Sequence, residues 1–205
     1  MNKKGKCYSM VNVGQRKESD LYCTPCSMTE QFIEKSEEYS IFDYKSSVLE
    51  PSCGKNHITK VLKKHFNTVT ARDININSSE NFLDCKDLFD YIITNPPYSL
   101  VDEFVLKSKI IAKKAFAFLL RINYLQGKKR YDSIFNNKDN YRLKYIFSYT
   151  RMSDLSVEPR EDGKYSTGMQ PYAWFIWVKG FNQFPVIDWI DNQKYVLKKM
   201  DKNEN

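Results

Sequence analysis

Between Ser47 and Leu120, short apolar runs of β-rich composition alternate with amphipathic stretches. Alternation of that kind predicts a mostly parallel sheet flanked by helices. Ser47-Val48-Leu49 is expected as a first strand that stops at Glu50-Pro51-Ser52-Cys53-Gly54. A helix from about Lys55 to Phe66 follows, with Ile58, Val61 and Leu62 on its inner face. Thr68 to Ala71 forms a second strand, Asn81 to Asp84 a short third, and Asp90 to Thr94 a fourth. The next helix spans about Val101 to Lys114, where Phe104, Val105, Ile110 and Ile111 alternate with lysines that face solvent. Ala115 to Leu120 is apolar without interruption, the pattern of a central strand. Gly127 to Phe135 reads as a helix, and Leu143 to Tyr149 and Ala173 to Val178 as two late strands. Between those strands, Met152 to Pro171 is a long polar loop, of a length at which loops often carry function.

The chain has 205 residues, 41% hydrophobic and 28% charged, which is one domain's length with enough apolar side chains for a full core. No apolar run approaches the roughly 18 residues of a membrane span. The basic start MNKKGKCYSM is not followed by the apolar stretch of a secretory signal. A soluble, cytoplasmic protein is expected. The net charge of +7 favours a polyanionic partner, and an aromatic content of 15% suits base stacking as well as the core. Five cysteines, Cys7, Cys23, Cys26, Cys53 and Cys85, are an odd number and argue against a disulfide framework. Cys23-Thr-Pro-Cys26 has half the spacing of a zinc site, but no second CxxC or histidine pair completes it, so no metal is expected. His57 and His65 fall on the first helix without an evident acidic partner and read as structural.

Ligands of an open α/β sheet bind beyond the carboxyl ends of its strands. Glu50 to Gly54, Asp73, Asn81 to Asp84 and Asn95 to Tyr98 all sit at such ends, so four strand ends converge on one crevice. Gly54 permits a tight turn and close approach of a ligand. Asp73 ends the second strand, where a carboxylate can accept two hydrogen bonds from a ribose diol.

The stretch DYIITNPPYSL is the sharpest signal. Pro96 and Pro97 cannot extend the ladder and force a turn, and the residue before each proline is driven to extended conformations. Asn95 is thereby held at a defined angle. Its carboxamide oxygen and the free carbonyl of Pro96 form paired acceptors suited to an exocyclic amine, which carries two hydrogens. Tyr98 then supplies a flat ring on which the amine's base can stack.

These motifs resemble those of the S-adenosylmethionine-dependent amino-methyltransferases, specifically the adenine-N6 DNA methyltransferases of bacteria and phages. DYIITNPPYS resembles their catalytic motif, and VLEPSCGKNHI their cofactor motif, usually LEPSAGxGxI. DLYCTPCSM resembles the upstream DxYxTP element and NFLD the DFL segment. AFAFLLRINYLQGKKRY looks like the fifth strand with its following helix, and YAWFIWVKG like the terminal strand. The resemblance implies a single-domain Rossmann-like α/β methyltransferase fold over residues 19–193. Its sheet is mostly parallel and seven-stranded, with an antiparallel terminal strand and helices on both faces. A basic arm (1–18) precedes the domain, and a lysine-rich tail (194–205), expected to fray, follows it.

The resemblance also implies roles. Asn95 and the Pro96 carbonyl, held by Pro97, would accept the amino hydrogens, and Tyr98 would stack on the flipped base. Thr24, Pro25, Glu50, Pro51, Ser52 and Gly54 would line the methionine end of the cofactor, S-adenosylmethionine. Asp73 would bind its ribose, and Asn81 and Phe82 its adenine. Two positions depart from the family pattern. Asn56 stands where a second glycine is usual, and it is the non-glycine type that best tolerates a left-handed backbone. Asn81 replaces an aspartate, so a pure acceptor becomes a group that also donates.

The cofactor motif precedes the catalytic motif by about forty residues with no insertion between them, and no separate target-recognition domain is expected. Target choice is therefore expected from short loops, from a partner subunit, or not at all. Arg151, Arg160 and Lys164, in and beside the Met152–Pro171 loop, and the cluster Lys128, Lys129 and Arg130 are the candidate contacts to nucleic acid. DNA is the expected acceptor. RNA, a protein glutamine, or nucleic-acid binding without catalysis are the alternatives.

Overall fold

The computed structural model describes residues 24–136, 139–151 and 170–192. The basic arm, the lysine-rich tail, Asp20 to Cys23 and most of the Met152–Pro171 loop, with Arg160 and Lys164, lie outside the described residues.

Seven strands form one sheet in the order β2-β1-β3-β4-β6-β5-β7. They are β1 (Ser47–Glu50), β2 (Thr68–Ala71), β3 (Phe89–Thr94), β4 (Ala112–Arg121), β5 (Tyr141–Tyr149), β6 (Tyr172–Lys179) and β7 (Val186–Ile190). Neighbours run parallel except that β6 is antiparallel to both β4 and β5. Helices α1 (Cys26–Glu38) and α2 (His57–His65) cover one face, where Phe32, Ile33, Val61 and Leu62 pack on Val48, Ile93 and Trp174. Phe32 stacks on Trp174 with ring centroids 4.0 Å apart. On the other face lie α3 (Val101–Ile111) and α4 (Lys128–Arg130), which continues as a π-helical turn over Tyr131–Phe135. There Phe104, Val105 and Ile134 pack on Ile92, Phe116 and Phe118. The expected α/β architecture, with helices on both faces, is what the chain adopts.

Several local expectations are corrected. Asn81 to Asp84 is not a strand: Ser78–Glu80 and Phe82–Asp84 are 3-10 turns. The carboxamides of Asn77 and Asn81 accept from Ser79 N and Leu83 N, both at 3.1 Å, and so offer the backbone a local partner in place of a ladder. The seventh strand is instead β7, at the opposite edge, so Ala173–Val178 does not end the sheet. Asp188 anchors β7 to α1 through Tyr39 Oη at 2.6 Å and Lys35 Nζ at 2.7 Å, and Lys35 holds its carboxyl down at about 2.

Helix α3 stops at Ile111, because Ala112 turns extended and pairs with Phe89. Lys113 and Lys114 are thus strand residues, and Lys114 Nζ reaches Ser46 Oγ at 2.7 Å. Lys109 does not face solvent: its side chain is 7% exposed and pairs with Asp139 at 2.6 Å. Ile110, expected inward, is 72% exposed. His65, expected without an acidic partner, lies 2.8 Å from Glu30 Oε2.

Candidate active site

The loop after β1 turns back on itself within four residues. Glu50 O accepts from Arg72 N and Cys53 N donates to Arg72 O, which locks the ends of β1 and β2 together. Gly54 has φ 47° and donates its N–H to Asp73 Oδ2 at 2.8 Å, while Asn75 N donates to Asp73 Oδ1 at 2.8 Å. Asp73 therefore staples the glycine turn to the end of β2, with lone pairs left on both oxygens. Asn56, in the place of the expected second glycine, is left-handed at φ 61° and ψ 27° and leads into α2. The asparagine thus supplies the conformation that the turn requires.

Glu50 closes the floor of this loop. Its side chain is 1% exposed and accepts a hydrogen bond from Thr59 Oγ1 on α2. Burial pushes its pKa up to about 7 against the pull of the Thr59 bonds, and the Asp73 charge adds to the rise. Burial also raises the Cys53 thiol to about 11, so this cysteine stays protonated and is no nucleophile at neutral pH.

The end of β3 forms the opposite wall. Thr94 Oγ1 lies 2.7 Å from Ser52 Oγ, and Ser52 Oγ donates to Asn95 O at 3.2 Å, joining the β1 loop to the proline turn. Asn95 Nδ2 donates to Thr24 Oγ1 at 3.2 Å, which fixes the orientation of its carboxamide. Leu100 N binds Pro97 O at 3.0 Å and closes a 3-10 turn over Tyr98–Leu100.

A crevice runs between these walls. Thr24, Glu50, Pro51, Ser52, Gly54, Asp73, Asn81, Phe82 and Asn95, all expected from the sequence, line it. Pro25 is buried and caps α1, where its carbonyl accepts from Met28 N at 3.0 Å. Asn81 reaches the crevice while its Nδ2 donates to Asp84 Oδ2 at 2.7 Å, so it uses the donor that an aspartate would lack. Sequence reasoning missed His57, whose buried Nδ1 has no partner among the described residues, and the apolar jaw of Ile74, Leu100 and Phe104. The position of Ile74 directly after Asp73 was the available clue.

The proline turn partitions two concavities. Asn95 and Pro97 line the crevice, and Pro96 is buried behind them. Tyr98 lines a second depression with Val101, Leu120, Arg121, Asn123, Tyr124 and Arg130. Of the expected basic cluster, Arg130 borders this depression. Its Nε donates to Asp102 Oδ1 at 3.0 Å, and its guanidinium covers the Tyr124 ring at 4.1 Å. Lys128 pairs with Asp132 at 2.5 Å, and Lys129 is exposed. Arg151 is exposed at the carboxyl end of β5, two strands beyond β4 on the same edge of the sheet.

This sheet order, its single antiparallel strand and its carboxyl-end crevice define a Rossmann-like methyltransferase fold. A Listeria monocytogenes protein described as a class I S-adenosylmethionine-dependent methyltransferase aligns with TM-score 0.62 at 11% identity, over 90% of this chain and 72% of its own. A Pyrococcus horikoshii protein described as an RNA methyltransferase gives 0.54 at 11%, over 80% and 89%. The M protein of the type I restriction enzyme EcoKI gives 0.53 at 12%, over 80% of this chain and 45% of that one. No family model matches the sequence, and no curated protein matches it either. Among the described residues, no helix is long and apolar enough to cross a membrane, and no cluster of His, Cys, Asp and Glu is arranged to hold a metal ion.

Proposed function

We propose that the protein transfers the methyl group of S-adenosylmethionine to the N6 amino group of adenine in DNA, with the base flipped out of the duplex. The observation that carries this reading is the partition: the Asn95–Pro97 turn separates the crevice at the ends of β1, β2 and β3 from a depression walled by an aromatic ring.

The crevice fits the cofactor. Ile74, Phe82, Leu100 and Phe104 offer an apolar slot for a flat base, and the remaining lone pairs of Asp73 suit a ribose diol. The turn at Gly54 and Asn56 keeps the backbone clear of the methionine end. When bound, S-adenosylmethionine supplies an electrophilic methyl group on sulfonium.

The chain's own part is orientation and electrostatics. An adenine amine is a poor nucleophile, because its lone pair is delocalised into the ring. The Asn95 carboxamide oxygen and the Pro96 carbonyl, as paired acceptors, draw its two hydrogens out of the ring plane and free that lone pair. They also stabilise positive charge as it develops on nitrogen. Tyr98 provides stacking that offsets the few kcal/mol of base extrusion. No covalent enzyme intermediate is required, in keeping with a Cys53 thiol that stays protonated.

The test is incubation of the purified protein with labelled S-adenosylmethionine and unmethylated genomic DNA, followed by nucleoside mass spectrometry. N6-methyladenine is the expected product, and Asn95→Ala is expected to lose at least about 100-fold in rate. Transfer to RNA or to a protein glutamine instead would move the reading to those acceptors. Cofactor-independent DNA binding with no transfer at all would make the protein a binding module.

A further inference from the structure

Tyr98 does not stand alone in its depression. Its hydroxyl donates to Tyr172 Oη at 2.8 Å, and the two rings lie 6.1 Å apart with planes tilted by 36°. Arg121 Nε donates to the same Tyr172 Oη at 3.3 Å, and its guanidinium sits 4.9 Å from the centre of the Tyr98 ring. Tyr172 is 4% exposed and so has no freedom to follow solvent. Three adjacent strands meet here. Tyr98 follows β3, Arg121 ends β4, Tyr172 opens β6, and Arg121 and Tyr172 are direct cross-strand partners. A further bond, Ile122 N to Pro171 O at 3.0 Å, fastens the two segments one position beyond that pair.

We infer that Tyr172 and Arg121 are positioning residues that hold the Tyr98 ring as a rigid stacking wall for the acceptor base. The inference rests on the acceptor being a nucleobase, as proposed above. An aromatic ring on a proline turn can rotate about two side-chain bonds, and a planar ligand gains full stacking only at one setting of them. The hydroxyl tether fixes the far end of the ring, and the guanidinium restrains its face by cation–π attraction. Neither partner needs to touch the base. The arrangement also gives the motif's tyrosine a use for its hydroxyl that phenylalanine could not serve.

The experiment uses the full chain and four variants: Tyr98→Phe, Tyr172→Phe, the double variant, and Arg121→Gln, with Arg121→Lys as the conservative control. One probe is a single-stranded oligothymidylate carrying one 2-aminopurine, whose fluorescence is quenched when it stacks on an aromatic ring. At saturating protein, Tyr172→Phe and Arg121→Gln should each lose about half of the quench, with Arg121→Lys retaining more of it. Methyl transfer should fall about fivefold in kcat for each single hydroxyl variant, the equivalent of one ordinary hydrogen bond. The double variant should be no worse than either single one, and KM for DNA and the S-adenosylmethionine dissociation constant should stay unchanged. Additive losses, a changed cofactor affinity, or wild-type quench in Tyr172→Phe would overturn the positioning role. Quench that depends on Tyr172 without methyl transfer to DNA would refute the proposed reaction while supporting the wall. Absence of quench in the unmodified protein would refute the wall even if transfer occurs.

Discussion

Replacing Glu50 with glutamine removes a buried charge while keeping the shape of the side chain and an acceptor for Thr59. Glu50 is 1% exposed, and its pKa rises from 4.5 to about 7, chiefly through burial. The folded chain therefore holds this proton more tightly than the unfolded chain. Between about pH 4.5 and 7 unfolding releases it, so stability falls as pH rises through that window and levels off above it. At 1.36 kcal/mol for each tenfold change in proton affinity, the full displacement amounts to about 3 kcal/mol at pH 8. Glu50→Gln should thus match the unmodified protein near pH 4.5 and exceed its stability at pH 8. For a chain of this length that gain corresponds to roughly 6–12 °C in Tm. Thermal unfolding followed by circular dichroism from pH 4.5 to 8.5 measures it directly. Function should move the other way, with cofactor affinity weakened about tenfold, because a carboxylate held at a site against its desolvation cost is kept for binding rather than stability. Parallel Tm–pH curves for the two proteins, or lower stability of Glu50→Gln at pH 8, would refute the reasoning.

Other substitutions test separate parts of the frame. Thr24→Val removes the hydroxyl that orients the Asn95 carboxamide; kcat should fall about tenfold with cofactor affinity within about threefold, as read by steady-state methylation and calorimetry. Asn56→Ala keeps a β-carbon in a left-handed turn but loses the short polar side chain that makes asparagine tolerant of it, and should cost about 1 kcal/mol in urea denaturation, whereas Asn56→Gly should be tolerated. Phe32→Ala empties the contact with Trp174 between α1 and the sheet, for an expected loss of about 3–5 kcal/mol in the same assay.

The parts of this protein that were legible in the sequence are those whose stereochemistry is local. Two consecutive prolines end a strand wherever they occur, so the break after Thr94 and the fixed backbone at Asn95 needed no tertiary information. Gly54 and Asn56 likewise announce a left-handed turn, and both have positive φ. Asp73 could be placed at a strand end from the pattern around it. The continuous apolar run at Ala115 to Leu120 marked a central strand, and it lies buried in the middle of the sheet.

Apart from Asn81 to Asp84, what failed or was missed depended on partners far away in the chain. Asn81 to Asp84 has a strand-like look, yet two asparagine side chains decide its conformation. β7 reads as a mixed segment, with Trp189 58% exposed, and it becomes a strand only because β5 offers a parallel edge and Asp188 meets Tyr39 and Lys35. Lys109 looks like any surface lysine until Asp139 folds over it. The Tyr98–Tyr172 hydrogen bond spans 74 positions. It exists because antiparallel pairing of β4 and β6 brings Tyr172 opposite Arg121 at the end of the sheet nearest the proline turn. Composition and local dihedral limits thus determined the strand-and-helix alternation and the proline corner. The register between distant strands, set by packing on two faces of one sheet, decided how that corner is braced and where its second concavity lies.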